Sequence, residues 1–498
     1  MQPSSTSSSD PRAALVSLAV CALAIVGADL TFRASALGIS LRRESWYIVR
    51  PQLYTADARG ADVVGIGDSR LGCSFNPFTL ERFVEVERGE RLRAWNAALP
   101  GAPPMAHLAW VRRALTHPHP PRMVILALSP YMFSSHLTRA PSREALTSMY
   151  RARDVPWILA AGGSPEDGLA ALQADLFASF RVRPRLVEVL TDFAGLRETA
   201  SVGDQGYEDH PQIDLPQQQR RAANRVQSYR GELLRANARF GSEQQGYFLE
   251  SLRLLRDHHV TTVVLDSVSA SQMDAVMGPD SIYPEHIAWV RAQAAAYGAH
   301  VVDGHRPPVL QDGDFCDVDH VSSFGAIRFT SWLTHEHLIA IMGGRRDARP
   351  AACSTVFDLD DESMPGWRRE GSSMSSPITL AARRTQQVVA GYTGHGFLTT
   401  FPEGGGDVDR GRATSPPFVL TGDHVRVRLG GGSVPGLAVR VVVEGRSVAE
   451  ASGRNDETLR DVELDVRAFR GRAATIVIDD EAAGGWGHLN VDDVAVCP

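Results

Sequence analysis

Ala61-Asp-Val-Val-Gly-Ile-Gly-Asp-Ser-Arg-Leu-Gly72 is the stretch that decides how most of the chain is read. An apolar, β-branched run too short for a helix ends in Gly67-Asp68-Ser69, the pattern of a buried strand delivering a serine at a tight turn. Serine alone is a poor nucleophile. It becomes a catalytic one when a histidine, itself oriented by a carboxylate, lies within hydrogen-bond reach. Far downstream, Asp317-Val-Asp-His320 precedes Val-Ser-Ser-Phe-Gly325 and an apolar helical stretch. The candidates are therefore Ser69 as nucleophile, His320 as base, and Asp317 or Asp319 as the carboxylate that orients the ring.

Between the two motifs, strand and helix patterns alternate. Residues 92–96, 122–128, 260–265 and 300–303 read as strands, and residues 105–115, 247–255, 287–296 and 324–342 read as helices. This order predicts an α/β domain with a mostly parallel sheet, and it places both motifs at strand ends, where open α/β sheets carry their sites. Asp266-Ser267 is a second Asp-Ser pair, but it lacks a glycine turn and reads as a strand end lining the cleft. Residues 134–240, rich in Arg, Gln, Ala and Leu, interrupt the order and predict a helical insertion that walls the substrate cleft.

A length of 498 residues allows two or three domains, each large enough for its own core. The composition is that of an ordinary globular protein. A net charge of -7 leaves no electrostatic footprint for nucleic acid. No Cys-x-x-Cys, His-Glu-x-x-His, Walker or dinucleotide glycine pattern occurs, so no metal or cofactor site is expected.

Residues 1–12 are Ser-rich and predict disorder. Residues 13–28 carry no charge, and the apolar stretch continues past Asp29 to Arg33. Spanning a bilayer takes about 20 residues, so residues 13–34 form either a membrane anchor or a signal peptide, for which Val26-Gly27-Ala28 would suit cleavage. Either reading means export, and the flanking charges leave the orientation open. Cys21 lacks the preceding small residue of a lipidation site, because Val20 stands there. The other cysteines fit an oxidising compartment. Cys73 follows Ser69 closely and Cys316 adjoins Asp317, so a folded triad brings them together and predicts a Cys73–Cys316 disulfide pinning the two loops, two buried thiols being the alternative. Cys353 and Cys497 bracket the C-terminal region, where a bond between them would close its ends.

Residues 346–353 read as a linker. Beyond them the helical period disappears, and runs such as residues 425–429, 437–443 and 474–478 alternate with Gly, Pro, Asp and Ser clusters. This pattern predicts an all-β sandwich over residues 354–498.

Gly67-Asp68-Ser69 and Asp317-Val318-Asp319-His320 resemble the first and last blocks of the SGNH (GDSL) hydrolases, over residues 55–345. The closer resemblance is to the envelope branch that adds or removes O-acyl groups on bacterial surface polymers, relatives of the alginate acetylation proteins. The resemblance implies a flavodoxin-like three-layer sandwich and a triad of Ser69, His320 and Asp317, the family spacing favouring Asp317 over Asp319. It also implies an oxyanion hole built from the Ser69 and Gly101 N–H groups, since Asn96-Ala-Ala-Leu-Pro-Gly101 matches the second block. The third block departs from the family, because Ala127-Leu-Ser-Pro-Tyr131 stands where Gly-x-Asn-Asp is expected. Either Ser129 donates instead or the site works with two donors. Loss of one donor costs about 100- to 1,000-fold in rate. The related envelope proteins keep an N-terminal anchor followed by an arginine, as Arg33 is here, which favours the anchor reading.

The C-terminal region carries a second resemblance. Gly366-Trp367, Gly391-Tyr-Thr-Gly394, Leu429-Gly-Gly-Gly432 and Gly485-Trp-Gly-His-Leu-Asn-Val-Asp492 resemble the β-sandwich module appended to bacterial levanase and invertase enzymes. The resemblance implies a carbohydrate-associated role, with Trp367 and Trp486 as glycan contacts or else as core residues. Together the two resemblances imply an exported serine esterase or O-acyltransferase, needing no cofactor. Its partner would be an envelope or extracellular polysaccharide, with an acyl donor in the transferase case and a membrane at the N-terminal segment. The alternative is a non-catalytic glycan-binding surface protein in which the α/β domain is a relic.

Overall fold

The computed structural model describes residues 11–35, 46–134, 138–182, 205–207, 210–211, 213–233, 242–344 and 353–498. The disorder expected at the N-terminus lies outside the described residues up to residue 10, and Pro11 and Arg12 already belong to the helix Pro11–Ala34. The expected linker is likewise outside them, except for Cys353.

Five parallel strands form the central sheet: β1 (Val63–Ile66), β2 (Ala94–Asn96), β3 (Met123–Leu128), β4 (Thr261–Asp266) and β5 (His300–Val302), in the order β2-β1-β3-β4-β5. Every residue of β1 and β3 is buried, which is why both read as unbroken apolar runs instead of alternating. Val64, Ile66, Leu126 and Val264 pack under one helical layer with Trp110 and Phe248. Val63, Ile125, Val263 and Leu265 pack under the other with Leu80 and Phe329. The strand order reverses between β1 and β3, and the crevice at the carboxyl ends of the strands opens there.

The expected helix over 287–296 begins earlier, at Tyr283, because Pro284 suits the first helical turn. The stretch 324–342 is not one regular helix. Ser322 caps Ser323–Trp332, and a π-helical turn at Leu333–Leu338 leads into Ile339–Ile341. The described α-helices of the insertion are Arg139–Met149, Val155–Ala160, Pro165–Leu176, Ala178–Arg181 and Leu215–Leu233, while residues 205–207, 210–211 and 213–214 carry no helix. Leu146, Ile158 and Ala171 bind it to the first core.

Beyond Cys353 the chain forms two six-stranded antiparallel sheets packed face to face. Strands His424–Gly431, Leu437–Val443, Ala473–Asp480 and Leu489–Cys497 supply most of the core, including Val425, Val427, Val439, Val441, Ile476 and Ile478. Cys353 and Cys497 are joined by a disulfide. The sandwich seats on the second helical layer, where Phe83 packs with Tyr392, Phe397 and Leu459. His335, in the π-helical turn, meets Glu87 at 2.7 Å and the Gly394 carbonyl at 2.8 Å across the same junction.

Candidate active site

β1 ends at Ile66, and the chain turns at once into the helix Ser69–Ser74. The turn is tight because position 67 has no room for a side chain: a Cβ there would lie 2.9 Å from Leu71 Cβ and 3.0 Å from Ala127 Cβ. Asp68 caps the helix by accepting from Arg70 N at 3.1 Å. Ser69 is left partly exposed between two buried neighbours, Asp68 and Arg70. The other end of this helix is clamped by buried Asn96, whose Nδ2 lies 3.1, 3.0 and 2.8 Å from the carbonyls of Leu71, Gly72 and Phe75. Thr330 Oγ1 adds a bond of 2.9 Å to the Ser74 carbonyl, tying the serine helix to the helix that follows the histidine.

The histidine loop is built by its own first carboxylate. Asp317 Oδ1 accepts from the backbone N–H of Asp319 and of His320, both at 2.9 Å, which curls the loop. Cys316 N–H to the His320 carbonyl, at 2.7 Å, closes it. The curl places His320 Nδ1 3.0 Å from Asp317 Oδ2 and aims Nε2 at Ser69 Oγ, 2.8 Å away. Asp319 also reaches the ring, its Oδ1 standing 3.1 Å from Nδ1. Both sequence candidates for the orienting carboxylate therefore flank one ring nitrogen.

Asp319 is the more deeply buried of the two, and it is held from behind. Arg70 Nε and Nη2 approach its Oδ2 at 3.0 and 2.8 Å, and Tyr229 donates to the same oxygen at 2.6 Å. Tyr131 and Tyr229 stack on the Arg70 guanidinium at 5.0 and 5.6 Å. Despite burial, Arg70 and His320 hold the Asp319 carboxyl well below the usual range. Burial also opposes charge on His320, yet Asp319 and the hydrogen bond to Asp317 outweigh it and push the imidazole up to about 10. Burial raises the Asp68 carboxyl, against the nearby Arg70. Among the described residues, Asp317, Asp319 and His320 gather ligand atoms within 4.8 Å of one another. The Arg70 cation already neutralises Asp319, which argues against a metal ion at that point.

The remaining predicted residues fall out differently. Gly101 sits at the turn after β2 with φ of +63°, a conformation that glycine adopts without strain. Ser129 is fully buried at the end of β3, and its hydroxyl lies 3.4 Å from Asp68 Oδ2, to which Tyr131 also donates. Cys73 and Cys316 correct the expected disulfide. Both are thiols, Cys73 turned along its own helix to the Arg70 carbonyl at 3.3 Å and Cys316 turned to the Pro211 carbonyl at 3.2 Å. Asp266 accepts from Tyr283, and burial pushes its carboxyl up to about 7. Trp367 meets Phe357 edge-on at 5.2 Å against the sandwich core, whereas Trp486 stacks on His488 at 6.1 Å and is partly exposed.

Arg70, Asn96 and Tyr229 escaped the sequence reading. Arg70 had a local signal, a charged residue one position after the candidate nucleophile. Tyr229 had none, since it comes from the helical insertion.

No family model matches the chain. A curated relative, "Putative glycosyl hydrolase ecdE" of Aspergillus rugulosus, is 35% identical over 137 residues, which are 27% of this chain and 19% of that protein. The chain thus spans about a fifth of the length of the curated relative it matches. Among solved structures, a "putative acylhydrolase" from Bacteroides fragilis is similar over 59% of this chain and 93% of its own, with 10% identity and a TM-score of 0.27. A β-(1,4)-mannanase of Podospora anserina is similar over 30% of this chain and 28% of its own, with 19% identity and a TM-score of 0.18. At these scores both structural likenesses are remote.

Proposed function

We propose that the chain is a serine-dependent acyl-ester enzyme of the SGNH type, acting on O-acyl groups, acetyl foremost, of an envelope or extracellular polysaccharide. The observation that carries this reading is the 2.8 Å contact between Ser69 Oγ and His320 Nε2, with Asp317 on the opposite ring nitrogen. In this mechanism neutral His320 takes the hydroxyl proton as Ser69 Oγ attacks the ester carbonyl. The imidazolium that forms is stabilised by two carboxylates instead of one. Backbone N–H groups of Ser69 and Gly101 hold the oxyanion. Collapse breaks the ester bond, His320 Nε2 returns the proton to the departing sugar oxygen, and the acyl group stays on Ser69. Water then gives an esterase, and a second sugar hydroxyl gives a transferase. The 137-residue similarity to a protein named as a glycosyl hydrolase supports carbohydrate as the partner.

The test gives the full chain in detergent, wild type and Ser69→Ala, 4-nitrophenyl acetate with and without oligosaccharides, while mass spectrometry follows protein and sugar. Serine-dependent release with an acetyl adduct on Ser69 is the expected result, and acetylated sugar assigns a transferase. Equal behaviour of the two proteins, with no adduct even from a fluorophosphonate, supports a non-catalytic glycan binder instead. The burial of the Ser129 hydroxyl against Asp68, 3.4 Å away, is the observation that favours this second reading.

A further inference from the structure

The helix Pro165–Leu176 is amphipathic the wrong way round for a water-facing element. It buries Gly168, Ala171 and Ala174 and turns Leu169, Leu172 and Leu176 outward, at 52%, 38% and 58% exposure. These leucines fall at i, i+3 and i+7, one stripe of a helix. The preceding helix, Val155–Ala160, adds Trp157 and Leu159 at 38% and 45% exposure and packs directly against it. Contiguous apolar surface of this kind marks an interaction site.

The apolar N-terminal helix indicates what covers the stripe. Its segment Leu15–Ala34 is 20 residues long with mean hydropathy 2.2, and the part of the helix ahead of Asp29, residues 11–28, runs about 27 Å, close to the thickness of a hydrocarbon core. The base of that helix is fastened beside the leucine stripe. Asp29 accepts from the N–H groups of Ala178 and Ser179 at 3.1 and 2.9 Å and from the Ser179 hydroxyl at 2.8 Å. Arg33 bonds Asp29 at 2.8 Å and reaches the carbonyl of Leu176, the last leucine of the stripe, also at 2.8 Å. Phe32 packs on Ile48 and Val182. The end of a membrane-length helix is therefore continuous with the exposed leucines.

We propose that the face formed by Trp157, Leu159, Leu169, Leu172 and Leu176 lies in the interface of the same lipid bilayer that receives the N-terminal helix, so that the protein rests on the membrane as well as being tethered to it. Trp157 is suited to headgroup depth, and the leucines to the acyl boundary. The β-sandwich packs on the opposite face of the central sheet from this insertion, so it points away from the lipid.

The full chain carrying Cys21→Ser is the background for the test, since Cys73 and Cys316 are buried. Leu172→Cys in that background is labelled with a bimane dye and reconstituted in vesicles of phosphatidylethanolamine and phosphatidylglycerol. Val408→Cys, in the sandwich, is the reference. The expected result is quenching at position 172 by brominated lipid and loss of quenching by aqueous iodide, with the reverse at position 408. Iodide quenching at 172 equal to that at 408 overturns the proposal. Protection of 172 from both quenchers overturns it too, because the stripe would then be covered by protein. Replacing Leu169 and Leu176 with Ser should return the dye at 172 to iodide.

Discussion

Asp319 Oδ1 stands 3.1 Å from Nδ1 of His320, on the same ring edge that Asp317 engages at 3.0 Å. One imidazole thus faces two carboxylates, of which only Asp319 is locked to an arginine. Asp317 closes its own loop through backbone N–H groups and is the ligand of the ring by geometry. Asp319 acts on the ring through charge.

The pH profile follows from this pair. His320 is raised from an ordinary 6.5 to about 10, so the ring is an imidazolium at neutral pH in the resting site and the neutral base appears as pH rises. We expect kcat/KM for 4-nitrophenyl acetate to keep climbing well above pH 7. Asp319→Asn should move the rise to lower pH, while Asp317→Asn should lower kcat by about 10³- to 10⁴-fold through loss of ring orientation. A rise centred near 6.5 in the wild type would contradict the assignment.

Stability has the same origin. A histidine raised above its unfolded value stabilises the fold fully below about 6.5 and loses that contribution as pH climbs toward about 10. Asp319, depressed, stabilises above the ordinary carboxyl range and loses its contribution as pH falls. Thermal unfolding against pH should therefore show a decline on the alkaline side, which His320→Gln flattens.

Arg70 and Asp319 form a buried pair with nearly no exposure on either side. Arg70→Met takes the guanidinium from a buried carboxylate that keeps Tyr229 and the His320 ring close by, and should cost about 3 kcal/mol, the low end for a broken buried pair. Arg70→Met with Asp319→Leu should recover part of that loss, because both charges are gone. Urea unfolding of the single and double variants decides it, and a double variant less stable than either single would count against the pairing.

Asn96 touches three carbonyls at the end of the serine helix. Asn96→Ala removes those donors in a buried place and should cost about 1–3 kcal/mol. We expect kcat to fall with KM little changed, since the side chain holds the helix carrying Ser69 and does not face substrate.

Thiol counting tests the cysteines. Denaturation without reductant should expose three alkylatable thiols, Cys21, Cys73 and Cys316, and reductant should reveal Cys353 and Cys497. The bridged residues are 144 apart in sequence, so opening that bond should cost about 5 kcal/mol by chain entropy, read as a lower Tm after reduction.

The strands of the α/β sheet, the sandwich strands and the pieces of the Ser-His-Asp constellation were legible in the sequence. Each is written locally, as an apolar run of strand length, a glycine turn, or an Asp-x-x-His loop whose carboxylate bonds its own backbone. The Cys353–Cys497 bridge was legible as a possibility because it brackets one unit. The fate of Cys73, Ser129 and Asp319 was not. Proximity along the chain to a motif does not say which way a side chain turns: Cys73 turns along its helix and Ser129 toward Asp68. Arg70 and Asp319 meet across 249 residues, and Tyr229 arrives from an insertion whose sequence carries no site pattern. The leucines of Pro165–Leu176 have a helical spacing that any soluble helix also shows. Only the packing of Gly168 and Ala171 inward reveals that the stripe faces out. Local patterns set backbone geometry, whereas burial and long-range partners set the charge of each group, and those exist only once the chain has folded.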